Sequence, residues 1–297
     1  MSLIINNNLM AANAARNLSV SFGELGVSVR RLSSGLRVGS AGDDAAGLAI
    51  RELMRSDIAS LNQGVRNAND AISLIQTADG ALGVVDEKLI RMKELAEQAA
   101  TGTYNSDQRL VIDSEYQAMA SEITRIANST DFNGIYLLNG NLSGTTHVGS
   151  GLVSTGKMKI HFGSGNDSKE DYYYVRVTSS TSSALGVGNT QAITKAGYTI
   201  STQSAAQNAL TGINDAIISK DKIRAALGAT QNRLQNTISN LQIQSENLQA
   251  AESRISDVDV ATEMTEFVRQ QIKSQAAVAM LAQANSLPRL AMTLLGG

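Results

Sequence analysis

Apolar residues recur at Leu18, Phe22, Leu25, Val29, Leu32 and Leu36 in an unbroken alternation of four and three residues, and the register extends back through Ala15 and Ala11 to Ile4. This spacing holds one stripe of side chains on one side of a helix, which predicts a coiled-coil seam. The seam asks for a partner, because burying each large apolar side chain is worth about 1.5–3 kcal/mol. After a glycine-punctuated gap the pattern resumes at Leu61, Val65, Ala68, Ile72 and Ile75. It continues through Leu82, Leu89, Met92 and Ala99 to a break at Thr101-Gly102-Thr103. One helix over Ala45 to Ala100 would be roughly 80 Å long.

A shorter helix is predicted over Ser106 to Asn128, with Leu110, Tyr116, Met119 and Ile123 on its apolar face, ending at the turn-rich Asn128 to Gly134. From about Gly134 to Gly188 the period changes to two, as in Met158, Ile160, Phe162 and in Tyr172 to Val177, which predicts small antiparallel hairpins. Helical spacing returns near Ser204, with Leu227, Leu234, Leu241, Leu248 and Ile255 seven residues apart. Arg224, Gln231, Ser245 and Glu252 lie between them, so this helix needs partners other than its own copy. Beyond Ser256 to Asp259 a last helix carries Met264, Phe267 or Val268, Ile272, Val278 and Leu281, and Pro288 and Gly296-Gly297 are expected to stop it.

The order is therefore mirrored, with short seams outside and long helices inside. The fold class is mainly α with a small β-hairpin region: a long coiled-coil or helical-bundle rod whose N- and C-termini pair. Terminal segments that bury so little alone are expected to become ordered as copies pack together.

Composition supports rods and removes most chemistry. Aromatic residues make up 4% of the chain, Trp is absent, and the single proline lies near the end. The net charge is −2 and the 25 basic residues are dispersed, so the footprint of a nucleic-acid binder is missing. Without cysteine there is no disulfide or thiolate metal site. The N-terminus lacks the basic and apolar regions of a cleaved signal, and no apolar run approaches membrane-helix length, so no membrane insertion is expected.

The adjacent carboxylates Asp43 and Asp44 precede a helical pattern, where they suit a helix start better than catalysis. Neighbouring residues point in different directions and do not flank a substrate. His147 and His161 have no G-x-S-x-G elbow and no cysteine companions. Gly39-Ser40-Ala41-Gly42 lacks the Lys-Ser/Thr of a phosphate loop. No catalytic, cofactor or metal site is expected, and the Ser/Thr run from Thr178 to Ser183 is expected to be a solvated loop.

The chain also carries longer motifs. Met1 to Leu36, Asp43-Asp44-Ala45-Ala46-Gly47, Arg66 to Ser73, Asp131-Phe132-Asn133-Gly134, Ala229 to Leu234, Ser253 to Asp259, Ala261-Thr262-Glu263 and Leu281 to Asn285 closely resemble bacterial flagellin over about 1–138 and 209–295. The resemblance implies a structural subunit, not an enzyme, that self-assembles into the extracellular flagellar filament for swimming. The hook–filament junction protein is the alternative. It implies an inner terminal coiled-coil domain of 1–38 with 260–297, linkers at 39–47 and 256–259, a helical rod of 48–138 with 205–255, and a β-hairpin region at 139–204 without large outer domains.

The implied assembly seam comprises Leu18, Phe22, Leu25, Val29, Leu32, Leu36, Met264, Phe267, Ile272, Val278 and Leu281. The resemblance further implies unfolded export through the flagellar type III pathway and an export chaperone on about Thr262 to Leu295. Other implied partners are further flagellin copies as a homopolymer, and the filament cap and hook-junction proteins. A vertebrate innate immune receptor is also implied, reading Arg91, Glu94, Leu95 and Glu115.

Overall fold

The structure is a computed structural model that describes residues 8–148, 155–167, 169–188 and 198–295, with side chains described to 286. Ile4 and Gly296-Gly297 lie outside the described residues. The chain is mainly α. Helices α1 (Leu9–Ser34), α2 (Ala45–Ala100), α3 (Ser106–Ser129), α4 (Ser182–Leu185), α5 (Gln203–Ser256) and α6 (Val260–Leu295) carry the fold. The short strands β1 (Asp131–Phe132) and β2 (Ile135–Tyr136), β3 (His147–Val148) and β4 (Thr155–Gly156), and β5 (Met158–His161) and β6 (Tyr172–Val175) form three antiparallel pairs. The residues divide into two compact units, 1–58 with 246–297, and 59–245.

In the first unit the terminal helices pair. Asn8 Nδ2 donates to the Ala284 carbonyl at 2.8 Å, and Arg31 Nη1 lies 3.6 Å from Glu263 Oε2, so α1 and α6 run antiparallel. Gly35, at φ 73°, takes the left-handed cap that ends α1. The chain then pairs with the segment preceding α6. Arg37 N–H donates to the Ser256 carbonyl at 2.7 Å and Val258 N–H to the Gly35 carbonyl at 3.0 Å, around a bridge between Leu36 and Asp257.

Pro288 was expected to stop the last helix, yet α6 continues to Leu295. Proline costs a helix the bond from its missing N–H to the carbonyl four residues earlier. Here that carbonyl belongs to Ala284, and Asn8 supplies it with a donor.

In the second unit α2, α3 and α5 share an apolar core that includes Leu89, Met92, Tyr116, Ile123, Ile200 and Ile213. Buried positions on α2 run Leu61, Gly64, Ala68, Ala71, Ile75, Ala78, Leu82 and onward to Ala99 in three-four alternation, with Leu74 and Leu95 buried beside them. Val65 and Ile72, expected in this seam, are half-buried beside it. The small residues preceding them take the centre, because close-packed helices need little volume between their backbones.

The hairpin β5–β6 rests on α2 where Gly64 leaves room. A Cβ there would sit 1.9 Å from the Phe162 carbonyl oxygen. Asn67 Nδ2 donates to the His161 carbonyl at 2.8 Å, and from α5 the Arg233 guanidinium lies 3.5 Å above the Tyr173 ring.

The Ser/Thr run is not the expected solvated loop. Ser180 and Ser182 are buried, Ser180 N–H donates to the Leu138 carbonyl, Ser182 and Thr124 hydroxyls are 2.7 Å apart, and Thr181 caps α4. Short hydroxyl side chains replace water for backbone groups in a confined turn. Only Thr178 and Ser183 of the run are exposed.

Candidate assembly surfaces

The stripe of α1 turned inward consists of Ala11, Ala14, Leu18, Ser21, Leu25, Ser28 and Leu32, alternating by three and four. On α6 the corresponding stripe is Glu263, Phe267, Gln270, Ser274, Ala277, Leu281 and Ala284. Nine of these fourteen residues are small or polar. Leu18, Leu25, Leu32, Phe267 and Leu281 of the expected seam lie in the pairing stripes, and all five are half-buried. Leu36 is half-buried in the linker bridge.

Phe22, at 52% exposed, and Val29 lie outside that stripe, one residue beyond Ser21 and Ser28. On α6 Met264, Ile272 and Val278 are exposed too, Ile272 at 61%. With Val260 and Val268, also exposed, Met264 and Ile272 form a row repeating every four residues, the ridge that helices use to pack against a neighbour. The pairing of α1 with α6 thus mixes small and polar residues with five half-buried large ones and leaves further large residues outward. Ser21 and Ser28, seven apart, and Glu263, Gln270, Ala277 and Ala284, likewise seven apart, were the signal for the inner stripe. It was faint because hydrophobicity does not mark it.

The two linker carboxylates have different tasks. Asp44 Oδ1 accepts the Gly47 N–H at 2.9 Å and so caps α2. Asp43 instead closes the turn before it, accepting from Ser40 Oγ and Ser40 N–H, both at 2.9 Å, from Gly39 N–H at 3.3 Å, and from Arg30 Nη2 at 3.2 Å. The Ser40 hydroxyl foremost, then backbone donors and Arg30, hold the Asp43 carboxyl below the usual range. Asp259 does the same for α6, accepting the Ala261 and Thr262 amides and the Thr262 hydroxyl, and the Thr262 bonds lower its pKa. The linkers at both ends of the chain are thus closed by carboxylates. Buried Arg51 adds a bond from Nη1 to the Val38 carbonyl at 2.7 Å.

On the second unit Arg91 reaches Glu115 through Nε at 3.0 Å and Nη2 at 2.8 Å, and Glu94 through Nη1 at 2.9 Å. Arg91 and Glu94 are exposed and Glu115 is half-buried, whereas Leu95 is 1% exposed and belongs to the core beneath them. Neither histidine joins a constellation: His147 Nδ1 lies 2.9 Å from the Lys157 carbonyl, and His161 stacks on Tyr172. Among the described residues no group of His, Cys, Asp and Glu has the makings of a metal site, and no helix is long and apolar enough to cross a membrane.

Residues 5–143 match the profile of the bacterial flagellin N-terminal helical region, and 210–295 match that of the bacterial flagellin C-terminal helical region. A flagellin of Halalkalibacterium halodurans is 43% identical, with 99% of this chain and 100% of the relative covered. The flagellar filament 33 kDa core protein of Treponema phagedenis is 39% identical over the same shares. A putative flagellar hook-associated protein from Vibrio parahaemolyticus shares the fold with a TM-score of 0.54 at 13% identity, covering 72% of this chain and 100% of that one.

Proposed function

The chain belongs to the bacterial flagellin family, and from that premise we propose that it leaves the cell unfolded through the flagellar type III pathway and polymerises through its terminal helices. Family membership makes it a structural subunit of the flagellar filament and not an enzyme. The filament is an extracellular homopolymer that serves swimming.

The observation that carries the assembly mechanism is the outward ridge Val260, Met264, Val268 and Ile272, together with Phe22 and Val29. Apolar side chains that the helix pair leaves in water gain burial when copies meet, up to about 1.5–3 kcal/mol each for full burial. The inner pairing combines Ser, Ala and Gln with half-buried Leu18, Leu25, Leu32, Phe267 and Leu281. Residues 1–38 with 260–297 would then form the inner domain, 39–47 and 256–259 the linkers, and 48–138 with 139–204 and 205–255 the rod. An export chaperone covering about Thr262 to Leu295 would shield the ridge before secretion. The cap and hook-junction proteins would meet the filament ends.

The cluster of Arg91, Glu94 and half-buried Glu115 is the proposed immune-receptor contact, with Leu95 supporting it from below. Receptor signalling unchanged by Arg91→Ala would remove that contact from the proposal. The fold shared with the hook-associated protein keeps the junction protein as the second reading; it would form assemblies of limited length.

Electron microscopy with sedimentation decides between them. The full chain under mild salting-out is expected to give long filaments, and a chain lacking 1–38 and 260–297 to stay monomeric. A full chain that stays monomeric even with filament seeds would overturn the filament reading.

A further inference from the structure

The seams of α2 and α5 repeat every seven residues over most of the second unit, from Leu61 to Ala99 and from Ala206 to Ser245. Leucine and alanine repeats fill most of these layers, so sliding one helix by a heptad leaves much of the apolar packing in place. Register has to be specified by something that occurs once.

On α5 one buried seam position carries a charge. Lys220 falls in step with Ala209, Ile213 and Ala216 and is 2% exposed. Its Nζ lies 2.5 Å from Asp86 Oδ1 on α2 and 2.8 Å from Asp221 Oδ1 on its own helix. One turn later Arg224 grips Asp79 with Nε at 2.7 Å and Nη2 at 3.2 Å. Farther along, Ser245 Oγ lies 3.5 Å from Asn62 Oδ1, so α5 runs antiparallel to α2 in a single register.

We propose that Lys220 and Arg224, gripping Asp86 and Asp79, are the latch that fixes the axial register of α5 on α2. The neighbours one heptad away explain why it works. Sliding in one direction brings Lys220 opposite Lys93, a like charge, while Arg224 takes Asp86. Sliding in the other lets Lys220 take Asp79 but sets Arg224 against Ile72. Each slip therefore keeps one of the two cross-helix pairs and loses the other, leaving a cation and a carboxylate without their partners across the seam, so both slipped states are penalised. The ion pairs select among registers and contribute little net stability, since apolar replacements of buried pairs are often as stable.

Because the chain has no cysteine, spin labels can be placed cleanly at Glu87→Cys and Asn240→Cys, both exposed. Opposed along antiparallel helices, these positions are roughly 30 Å apart axially, and a heptad slip changes that by about 10 Å. Electron double resonance on the full-length labelled chain, diluted in unlabelled chain at low salt, reads the distance.

The parent and Lys220→Arg are expected to show one distance. Lys220→Met with Arg224→Met is expected to keep its helix content and add a second population shifted by about 10 Å. A single unchanged distance in that double variant overturns the latch. Loss of its helical fold overturns it as well, because the pairs would then supply stability and not register.

Discussion

Asn8 is the residue on which the terminal pairing turns. Its Oδ1 accepts the Ala11 N–H at 3.0 Å as the cap of α1, while its Nδ2 serves the Ala284 carbonyl that Pro288 leaves without a helical donor. Asn8→Ala should lose about 1 kcal/mol for the cap and about 1–3 kcal/mol more for the orphaned carbonyl. With Pro288→Ala the backbone N–H returns, so the second loss should vanish. A double-mutant cycle by denaturant unfolding should show coupling of at least about 1 kcal/mol between these distant residues, and additive losses would refute the shared role. Asp43 and Asp259 give the linkers a pH dependence of definite sign. Each has a folded pKa below its unfolded value, so its contribution is present above about pH 4 and is lost as pH falls through the lower folded value. Far-UV circular dichroism from pH 5 to 2 should show the parent losing terminal helix in that window. Asp43→Asn with Asp259→Asn should be less stable at neutral pH and flatter below it.

Among the elements, the contact of α2 with hairpin β5–β6 depends on a missing side chain. Gly64→Ala would drive a methyl group to 1.9 Å from a backbone oxygen, so the hairpin must move. A loss of about 1–3 kcal/mol is expected, as for overpacking. Gly80 is the control on the same helix: exposed, with nothing within 4 Å of an added Cβ. Gly80→Ala should stabilise by about 0.4–1 kcal/mol through helix propensity and unfolded-state entropy. Melting temperatures moving in opposite directions would check both. The elements themselves were largely legible, since helix extents, the break after Ala100 and the alternation of β5 and β6 follow from period and turn residues. The centre of each seam was not. Hydrophobicity selected Phe22, Val29, Val65 and Ile72, whereas Ser21, Ser28, Gly64 and Ala71 stand at the contacts. Periodicity fixes a face to within a residue, and the volume between two packed backbones chooses within that residue.

For the whole molecule, the outward ridge of α6 should matter to assembly and not to the fold of one chain. Ile272→Asp, at a position 61% exposed, should leave the circular dichroism spectrum within about 0.5 kcal/mol of the parent in stability. Sedimentation should nevertheless find it in the soluble fraction when the parent forms filaments. Ser274→Asp, on the buried stripe of the same helix, should instead weaken the pairing of α1 with α6. Equal effects of the two substitutions on folding would contradict the division of α6 into an inner and an outer face.

Family and helical class were determined by the sequence alone, because long motifs and seven-residue periods are properties of order and composition. Asp44 as a helix start was legible for the same reason, being set by its immediate neighbours. What only the tertiary structure decided were pairings across long stretches of chain. Asn8 compensates Pro288, Asp43 closes its turn with help from Arg30, Leu95 lies beneath Arg91, and Lys220 finds Asp86. Each depends on which groups meet after the backbone has folded back on itself, and no local period encodes that.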